Sequence, residues 1–222
     1  MSGRVDFHVH SNLSSDGDFS PAELIGFAAE RGLRAFSIAD HDTVAAYPEA
    51  VDLGRAAGVE VIPGIEVTTL FDGREFHLLL PFVDWTSPAL AGIVERQTAC
   101  RMDETRERIG KLRGLGFSLT VEEVAAKSNG VPPLGVKIAQ ILLDSEANAG
   151  HPALETFRRP ENRPFAPYMF YKDYFAEGRP AWVPKRFVAL LDVLAAAPET
   201  GGAPVLSHPG AYFQKTTPED AR

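Results

Sequence analysis

The chain has 222 residues, of which 45% are hydrophobic and 23% charged, as in a globular protein with one sizeable domain or a core domain with an insertion. With a net charge of −8, the chain is not expected to have the basic surface that binding along duplex nucleic acid needs. No apolar run approaches the roughly 20 residues of a membrane span. The single cysteine, Cys100, excludes a disulfide framework and favours a reducing compartment. Together, these properties predict a cytoplasmic protein with neither a membrane nor duplex nucleic acid as a partner.

The first part of the sequence alternates strand and helix signals. Ser20-Pro21-Ala22-Glu23 is typical of a capped helix start, and Gly32 ends the apolar helical face that follows it. A second helix is predicted over residues 43–57. Strands are predicted at residues 4–10, 35–39, 59–67 and 75–82. This β-α-β-α-β order implies a parallel sheet, either open or closed into a barrel.

The pattern changes near Trp85. Helices are predicted at residues 88–115, 121–127, 136–143 and 185–197, and a last strand leads into a loop at 204–210. Residues 148–184 are dense in proline, arginine and aromatic residues and show little periodicity. We therefore predict a core domain in two parts, residues 1–94 and 185–222, separated by a mostly helical insertion at 95–184.

Five of the six histidines end or lie within the predicted strands: His8, His10, His41, His77 and His208. His8 and His10 lie two residues apart, so they point to one face of their strand. A single His-x-His pair is often no more than two polar positions on a strand. However, functional sites gather at the carboxyl ends of parallel strands, so we expect all five imidazoles to converge there with Glu66. The sixth histidine, His151, is predicted to be an exposed loop residue.

Five short motifs occur in one order along the chain: Asp-x-His-x-His at 6–10, Ser-Asp-Gly at 15–17, Asp-His-Asp at 40–42, Pro-Gly-x-Glu at 63–66 and Ser-His-Pro-Gly at 207–210. This ordered set resembles the PHP (polymerase and histidinol phosphatase) family over residues 5–81 and 204–210. The predicted insertion resembles, more loosely, the small family members that act on nucleotides. The resemblance implies an α/β fold, a distorted seven-stranded (β/α) barrel of PHP type, whose active site holds three metals.

Carried over motif by motif, the resemblance implies seven ligands for up to three divalent cations: His8 and His10 for the first, His77 and His208 for the second, Glu66 between these two, and Asp16 and His41 for the third. Imidazole and carboxylate ligands favour Mn, with Fe or Zn as alternatives. Asp40 and Asp42, together with Asp6, resemble carboxylates that orient metal-bound imidazoles. We therefore assign catalytic roles to Glu66, Asp40 and Asp42.

The sequence departs from the family pattern in two places. The family's last ligands form an Asp-x-His pair, and none follows His208 before Arg222. We therefore expect a barrel truncated at its C-terminus by a strand and a helix, in which the first and third metals each lose a ligand. Small nucleotide-acting members usually carry Arg-Pro-His where this chain has Gly135-Val136-Lys137. Lys137 either replaces a phosphate-contacting histidine or is a solvated lysine at a helix start.

The function that the resemblance implies is metal-dependent hydrolysis of a phosphate ester. We expect a phosphomonoester on a nucleotide or on the 5′ end of a short RNA, attacked by a hydroxide that bridges two metals near Glu66. Lys137, Arg163 and Lys185 are candidate contacts for the substrate phosphate. Two alternatives stay open: a histidinol-phosphate phosphatase, and a catalytically silent PHP domain used for binding. The absent Asp-x-His pair favours the silent domain, whereas the converging imidazoles favour the enzyme.

Overall fold

The structure, a computed structural model, describes residues 3–14, 16–128 and 132–213. Ser15 of the Ser-Asp-Gly motif and residues 214–222 of the predicted second core part lie outside these ranges. The described strands β1 to β7 are Arg4–Val9, Leu33–Ile38, Glu60–Val61, Gly64–Phe71, Arg74–Pro81, Val188–Ala189 and Val205–Leu206. The described α-helices α1 to α9 are Pro21–Glu30, Tyr47–Ala57, Pro88–Gly114, Val121–Ala126, Gly135–Asp144, Glu155–Arg158, Ala166–Phe170, Leu190–Thr200 and Gly210–Phe213.

The described chain divides into two compact units. The first takes in the described residues up to Gln97 and from Phe187 onward, and the second is Thr98–Arg186. The second unit overlaps the segment predicted as an insertion, residues 95–184. None of the described helices is both long and apolar enough to cross a membrane.

A parallel sheet of β1, β2 and β3 opens the first unit, as the β-α-β-α-β order predicted. Ser20 caps α1 in a reciprocal pair with Glu23, and the buried face of that helix includes Leu24, Ile25 and Ala28. Gly58 ends α2 in the left-handed conformation, with φ of 72°. The apolar faces of both helices cluster with buried residues of β2, which fixes the edge of the sheet where the histidine motifs lie.

The predicted third strand, residues 59–67, is in fact two strands in two sheets. Pro63 separates β3 from β4, because proline has no N–H to donate to a strand ladder. Gly64 then passes very close to β2: a Cβ at this position would lie 2.4 Å from Ser37 Oγ. Its N–H donates to Tyr47 Oη over 2.6 Å. The Pro-Gly pair of the Pro-Gly-x-Glu motif therefore moves the chain from one sheet to the next.

The second sheet has the strand order β6-β4-β5-β7 and is mostly antiparallel, which corrects the prediction of one parallel sheet. Asp72 and Gly73 both have positive φ and form a tight hairpin between β4 and β5. One isolated parallel bridge, between His41 and Glu66, links the two sheets. The described strands do not form a closed seven-stranded barrel, because the two sheets share no continuous ladder.

Helix α8 begins five residues after the predicted start at 185, because Val188 and Ala189 pair with β4 before the helix can form. In the second unit, the segment without periodicity folds into short helical turns around buried aromatic side chains such as Phe170 and Phe175. His151 is half-buried rather than exposed, and its ring stacks on Phe117 with centroids 4.1 Å apart.

Candidate metal centre

Glu66 is the centre of the candidate site. It lies in β4, and its side chain is 1% exposed. Its N–H donates to the carbonyl of Asp40 over 3.2 Å, and its carbonyl accepts from the N–H of Asp42 over 3.0 Å. These two bonds bring the loop after β2, and with it His41, against the Glu66 carboxylate.

The two carboxylate oxygens of Glu66 face different sets of imidazoles. Oε2 lies 3.1 Å from His8 Nε2, 3.3 Å from His10 Nε2 and 3.4 Å from His41 Nδ1. Oε1 lies 3.4 Å from His77 Nδ1 and 3.2 Å from His208 Nε2. The structure thus brings together all five histidines that the strand pattern singled out, around one carboxylate.

Asp16 lies on the side of the His10 and His41 rings that faces away from Glu66. Its Oδ2 is 3.1 Å from His41 Nε2, and its Oδ1 is 3.6 Å from His10 Nδ1. Ser14 Oγ donates to Asp16 Oδ1 over 2.7 Å, which orients the carboxylate. Asp16 and Glu66 therefore contact opposite nitrogens of His41 and of His10.

The acids and imidazoles shift each other's protonation strongly. Burial opposes ionisation of Glu66, but its contacts with His10, His77 and His8 outweigh burial and hold its pKa well below the ordinary range. Burial alone would likewise lower the pKa of His77, but the neighbouring carboxylates of Glu66 and Glu75 raise it to about 9. The carboxylate of Glu66 is therefore held ionised, and His77 retains a proton that a bound cation would have to displace.

The donor atoms fit divalent metal ions. His41 Nδ1, Glu66 Oε1 and His77 Nδ1 are buried without a hydrogen-bond partner, although they lie close together, and such atoms are costly unless something binds them. Three triads have their ligand atoms within 4.8 Å of one another: His8–His10–Glu66, His10–Asp16–His41 and His41–Glu66–His77. Nitrogen and oxygen donors without thiolate suit Mn, Fe or Zn. His208 contacts Glu66 but belongs to none of these triads.

The three other acids of the motifs hold the backbone around the site. Asp40, 1% exposed, accepts bonds of 2.6 Å from both the N–H and the Oγ of Ser11. Asp6 accepts from the backbone N–H of His8 over 3.0 Å. Asp42 accepts from the N–H of Thr68 over 2.8 Å. These contacts fix the strands and loops that carry the ligands. They do not test the catalytic roles assigned to Asp40 and Asp42, which stay predictions.

Two neighbours of His77 were missed by the sequence reasoning. Glu75 Oε1 lies 2.9 Å from His77 Nε2, the nitrogen that faces away from Glu66. The signal was available, because residues two apart on a strand share a face. Tyr212 Oη accepts from the backbone N–H of His77 over 2.9 Å, and its ring lies 5.4 Å from that of His208. No sequence spacing predicts a contact between residues 135 positions apart.

The three residues predicted to bind the substrate phosphate all belong to the second unit. Lys137 lies in the first turn of α5, whose N-cap residue, Leu134, offers no side-chain acceptor. Arg163 is exposed and lines a cavity of about 360 Å³ together with Arg158. Lys185 is exposed. Their roles stay predictions.

Comparison with known proteins identifies the class to which this centre belongs. Residues 6–107, which include six of the seven candidate ligands, match the model of the PHP domain. The chain is 28% identical to a 5′-3′ exoribonuclease of Haemophilus influenzae over 96% of its length and 71% of the relative. It is 29% identical to a phosphoribosyl 1,2-cyclic phosphate 1,2-diphosphodiesterase of Eggerthella lenta, over 92% of this chain and 73% of the relative.

A solved structure from Bifidobacterium adolescentis, assigned as a candidate metal-dependent phosphoesterase, superposes with a TM-score of 0.73 at 22% identity. It covers 100% of this chain, which corresponds to 73% of the solved one, and so supports the α/β fold. The resemblance inferred from the ordered motifs is confirmed: residues 6–107 match the PHP domain, and the chain is similar over most of its length to these two relatives.

Proposed function

We propose that this protein hydrolyses a phosphate ester on a nucleotide or on the 5′ end of a short RNA, using divalent metal ions. The observation that carries the proposal is the arrangement at Glu66. One buried carboxylate presents each of its oxygens to a separate set of imidazoles, at 3.1–3.4 Å. A carboxylate placed in this way can hold two cations side by side, which is the arrangement that hydrolytic two-metal sites use.

The residues of this chain would divide the metal-binding work. His8 and His10 would hold one cation, His77 and His208 a second, and Asp16 with His41 a third, while Glu66 would join the first two. Bound divalent cations supply Lewis acidity: they neutralise phosphoryl oxygens and make water a better nucleophile at neutral pH. We propose Mn as the metal to test first, with Fe and Zn as alternatives.

The substrate class is proposed from the relatives and from the charge of the site. Both named relatives act, by their names, on phosphate esters that contain ribose. The formal charge of the chain is −8, so the cations would also supply the local positive charge that a phosphate needs. We further propose that Lys137, Arg163 and Lys185 hold the remainder of the substrate, and each can be tested separately.

A reconstitution experiment tests the proposal. Metal is removed by mild chelation, and Mn²⁺, Fe²⁺ or Zn²⁺ is added back before metal content is measured. Hydrolysis is then followed on a nucleoside 5′-monophosphate, a 5′-phosphorylated oligoribonucleotide and histidinol phosphate. We expect at least one metal per chain, and release of phosphate or nucleotides from one of the first two substrates. The His8→Ala variant should lose metal and activity, whereas the matched control His151→Ala, in the second unit, should keep both.

Each alternative gives a different result. Turnover of histidinol phosphate alone would identify a histidinol-phosphate phosphatase. Metal binding without hydrolysis of any of the three substrates would indicate a silent domain used for binding. Less than one metal per chain, unchanged in His8→Ala, would contradict the metal centre itself.

A further inference from the structure

Gln97, in α3, is a fully buried glutamine whose amide is bound at both ends. Its side chain is 0% exposed. Its Oε1 accepts from the backbone N–H of Val188, at the start of β6, over 3.0 Å. Its Nε2 donates to Asp42 Oδ2 over 3.2 Å. One side chain therefore connects the strand β6 to the residue that follows His41.

The direction of this amide is fixed by its partners. A backbone N–H can only donate, so the carbonyl end of the amide must face Val188. The NH₂ end then faces Asp42, whose carboxylate oxygen accepts from it. Glutamine satisfies both partners, whereas a glutamate at position 97 would place a second negative charge against Asp42.

Asp42 is the residue through which this connection reaches the metal centre. Its φ is 56°, in the left-handed region that non-glycine residues adopt only where the surrounding structure holds them there. Its N–H donates to the carbonyl of Glu66, and its Oδ1 accepts from the N–H of Thr68. The bond from Gln97 is a further restraint on this conformation, and it comes from helix α3.

We infer that Gln97 is a positioning residue for His41: by holding Asp42 in its left-handed conformation, it keeps the His41 imidazole between Glu66 and Asp16. The inference rests on the proposed metal-dependent function. His41 is the only described residue that belongs to two of the three triads and has both ring nitrogens within 3.4 Å of a carboxylate. A small rotation of the backbone at Asp42 would move one nitrogen of this ring away from its partner.

The first test replaces the amide by an apolar side chain of similar size. Gln97→Leu should fold, as judged by far-UV circular dichroism, but its Mn²⁺ affinity should fall by roughly 10–100-fold, as when the support of a metal ligand is lost. Its kcat should fall with the metal affinity, while KM stays close to that of the unchanged chain. Gln140→Leu is the matched control, because Gln140 also donates to an aspartate, Asp144, over 2.7 Å but lies in the second unit.

The second test reverses the polarity of the contact. Gln97→Glu should lower Mn²⁺ affinity at least as far as Gln97→Leu, because two carboxylates then face each other. In the double variant Gln97→Glu/Asp42→Asn, the side chain at position 97 still accepts from the N–H of Val188, and the side chain at position 42 still accepts from the N–H of Thr68. The new amide at position 42 then donates to the carboxylate at position 97. The double variant should recover most of the lost Mn²⁺ affinity, which a residue needed only for packing would not allow.

The outcomes separate this inference from the proposed function. A chain that binds Mn²⁺ and hydrolyses substrate, and whose Gln97→Leu variant has unchanged Mn²⁺ affinity, overturns the inference alone. If Gln97→Leu does not fold, the polar variants decide, and equal affinities of Gln97→Glu and the double variant overturn it. An unmodified chain that binds no Mn²⁺ overturns both.

Discussion

The two units bury polar groups in opposite ways. In the first, five imidazoles from four separate segments meet the carboxylate of Glu66. In the second, a buried ion pair is local: Glu104 and Arg108, one helical turn apart on α3, approach to 2.6 Å. Aromatic side chains surround that pair, with the Phe175 ring 4.9 Å from the guanidinium.

This difference separates a binding centre from a structural core. Glu104 and Arg108 bring opposite charges to each other, so no added cation is needed to neutralise them, although Glu104 Oε2 and Arg108 Nε lack hydrogen-bond partners. A carboxylate surrounded by imidazoles from distant segments leaves lone pairs directed at the same space, and a cation satisfies them. Substitution of Glu66 or of its imidazoles should therefore act on metal binding, and substitution of Glu104 or Arg108 on the free energy of unfolding.

The largest effect is expected at the centre of the first unit. Glu66→Ala removes the group that all five imidazoles contact, so kcat should fall by more than the roughly 10–100-fold that loss of a ligand's supporting partner costs. Metal content should fall below that of the unmodified chain, while far-UV circular dichroism stays unchanged. Asp42→Asn should cost less activity, and equal losses would contradict the central role of Glu66.

The matched change in the second unit is Glu104→Ala. It leaves Arg108 buried without its partner, a loss that typically costs about 3–5 kcal/mol of stability. Urea unfolding should show that decrease, and Mn²⁺ stoichiometry measured in the absence of urea should not change. Loss of metal in a variant that is still folded would show that the two units are not energetically separate.

Glu75→Ala sharpens the comparison within the first unit. The substitution removes the carboxylate that lies 2.9 Å from His77 Nε2, so Mn²⁺ affinity should fall by about 10–100-fold. Titration of the metal-free chain with Mn²⁺ measures this. Glu60→Ala, at an exposed position of β3, is the control and should bind as the unmodified chain does.

Substrate binding is expected to respond more weakly. Lys137→Ala should raise KM for a phosphorylated substrate by a few fold, because a solvent-accessible charge pair contributes roughly 0.2–1 kcal/mol. Metal content should not change. Lys127→Ala, at an exposed position after α4, should leave KM unchanged. A drop in metal occupancy instead would mean that Lys137 lies beside the metal ligands.

The smallest expected effect is a change in the number of protons that Mn²⁺ binding releases. The pKa of His77 is raised to about 9 in the metal-free chain, so its ring is protonated at pH 8, whereas an ordinary histidine is neutral there. A cation must displace that proton, so Mn²⁺ binding at pH 8 should release about one proton more than binding above pH 9.5. Calorimetry in buffers of different ionisation enthalpy measures the release. Equal release at both pH values would contradict the raised pKa.

Much of this organisation was visible in the sequence where a local signal existed. The capping box at Ser20 placed α1, and histidine spacing placed five candidate ligands on strands. The sequence predicts one strand over residues 59–67, whereas the chain changes sheets at Pro63; proline is a poor fit for the middle of a central strand and is the local signal for this break. The hairpin at Asp72-Gly73 carries a turn signal that was passed over, and it reverses the direction of β5 relative to β4.

The remainder could not be read from local patterns because it depends on pairs distant in sequence. Gln97 is one polar residue in a helix until the fold places it beside Asp42, 55 positions earlier. Short helices between residues 148 and 184 are held by aromatic packing, which has no periodicity to detect. Neither the sheet order nor the contact of Tyr212 with His77 has a signal in one sequence.

The positions of His8 and His208 have a consequence for folding. They are 200 residues apart (208 − 8), yet their rings lie 6.0 Å apart and both contact Glu66. Cations shared by these ligands would act as a reversible cross-link between the first and last described strands. Closing so long a loop is entropically costly, so the metal cannot bind this full set until the chain between them has folded. Its binding energy would then stabilise the whole first unit against unfolding, and chelation would loosen the β7 end first, because His208 is the most exposed of the five imidazoles.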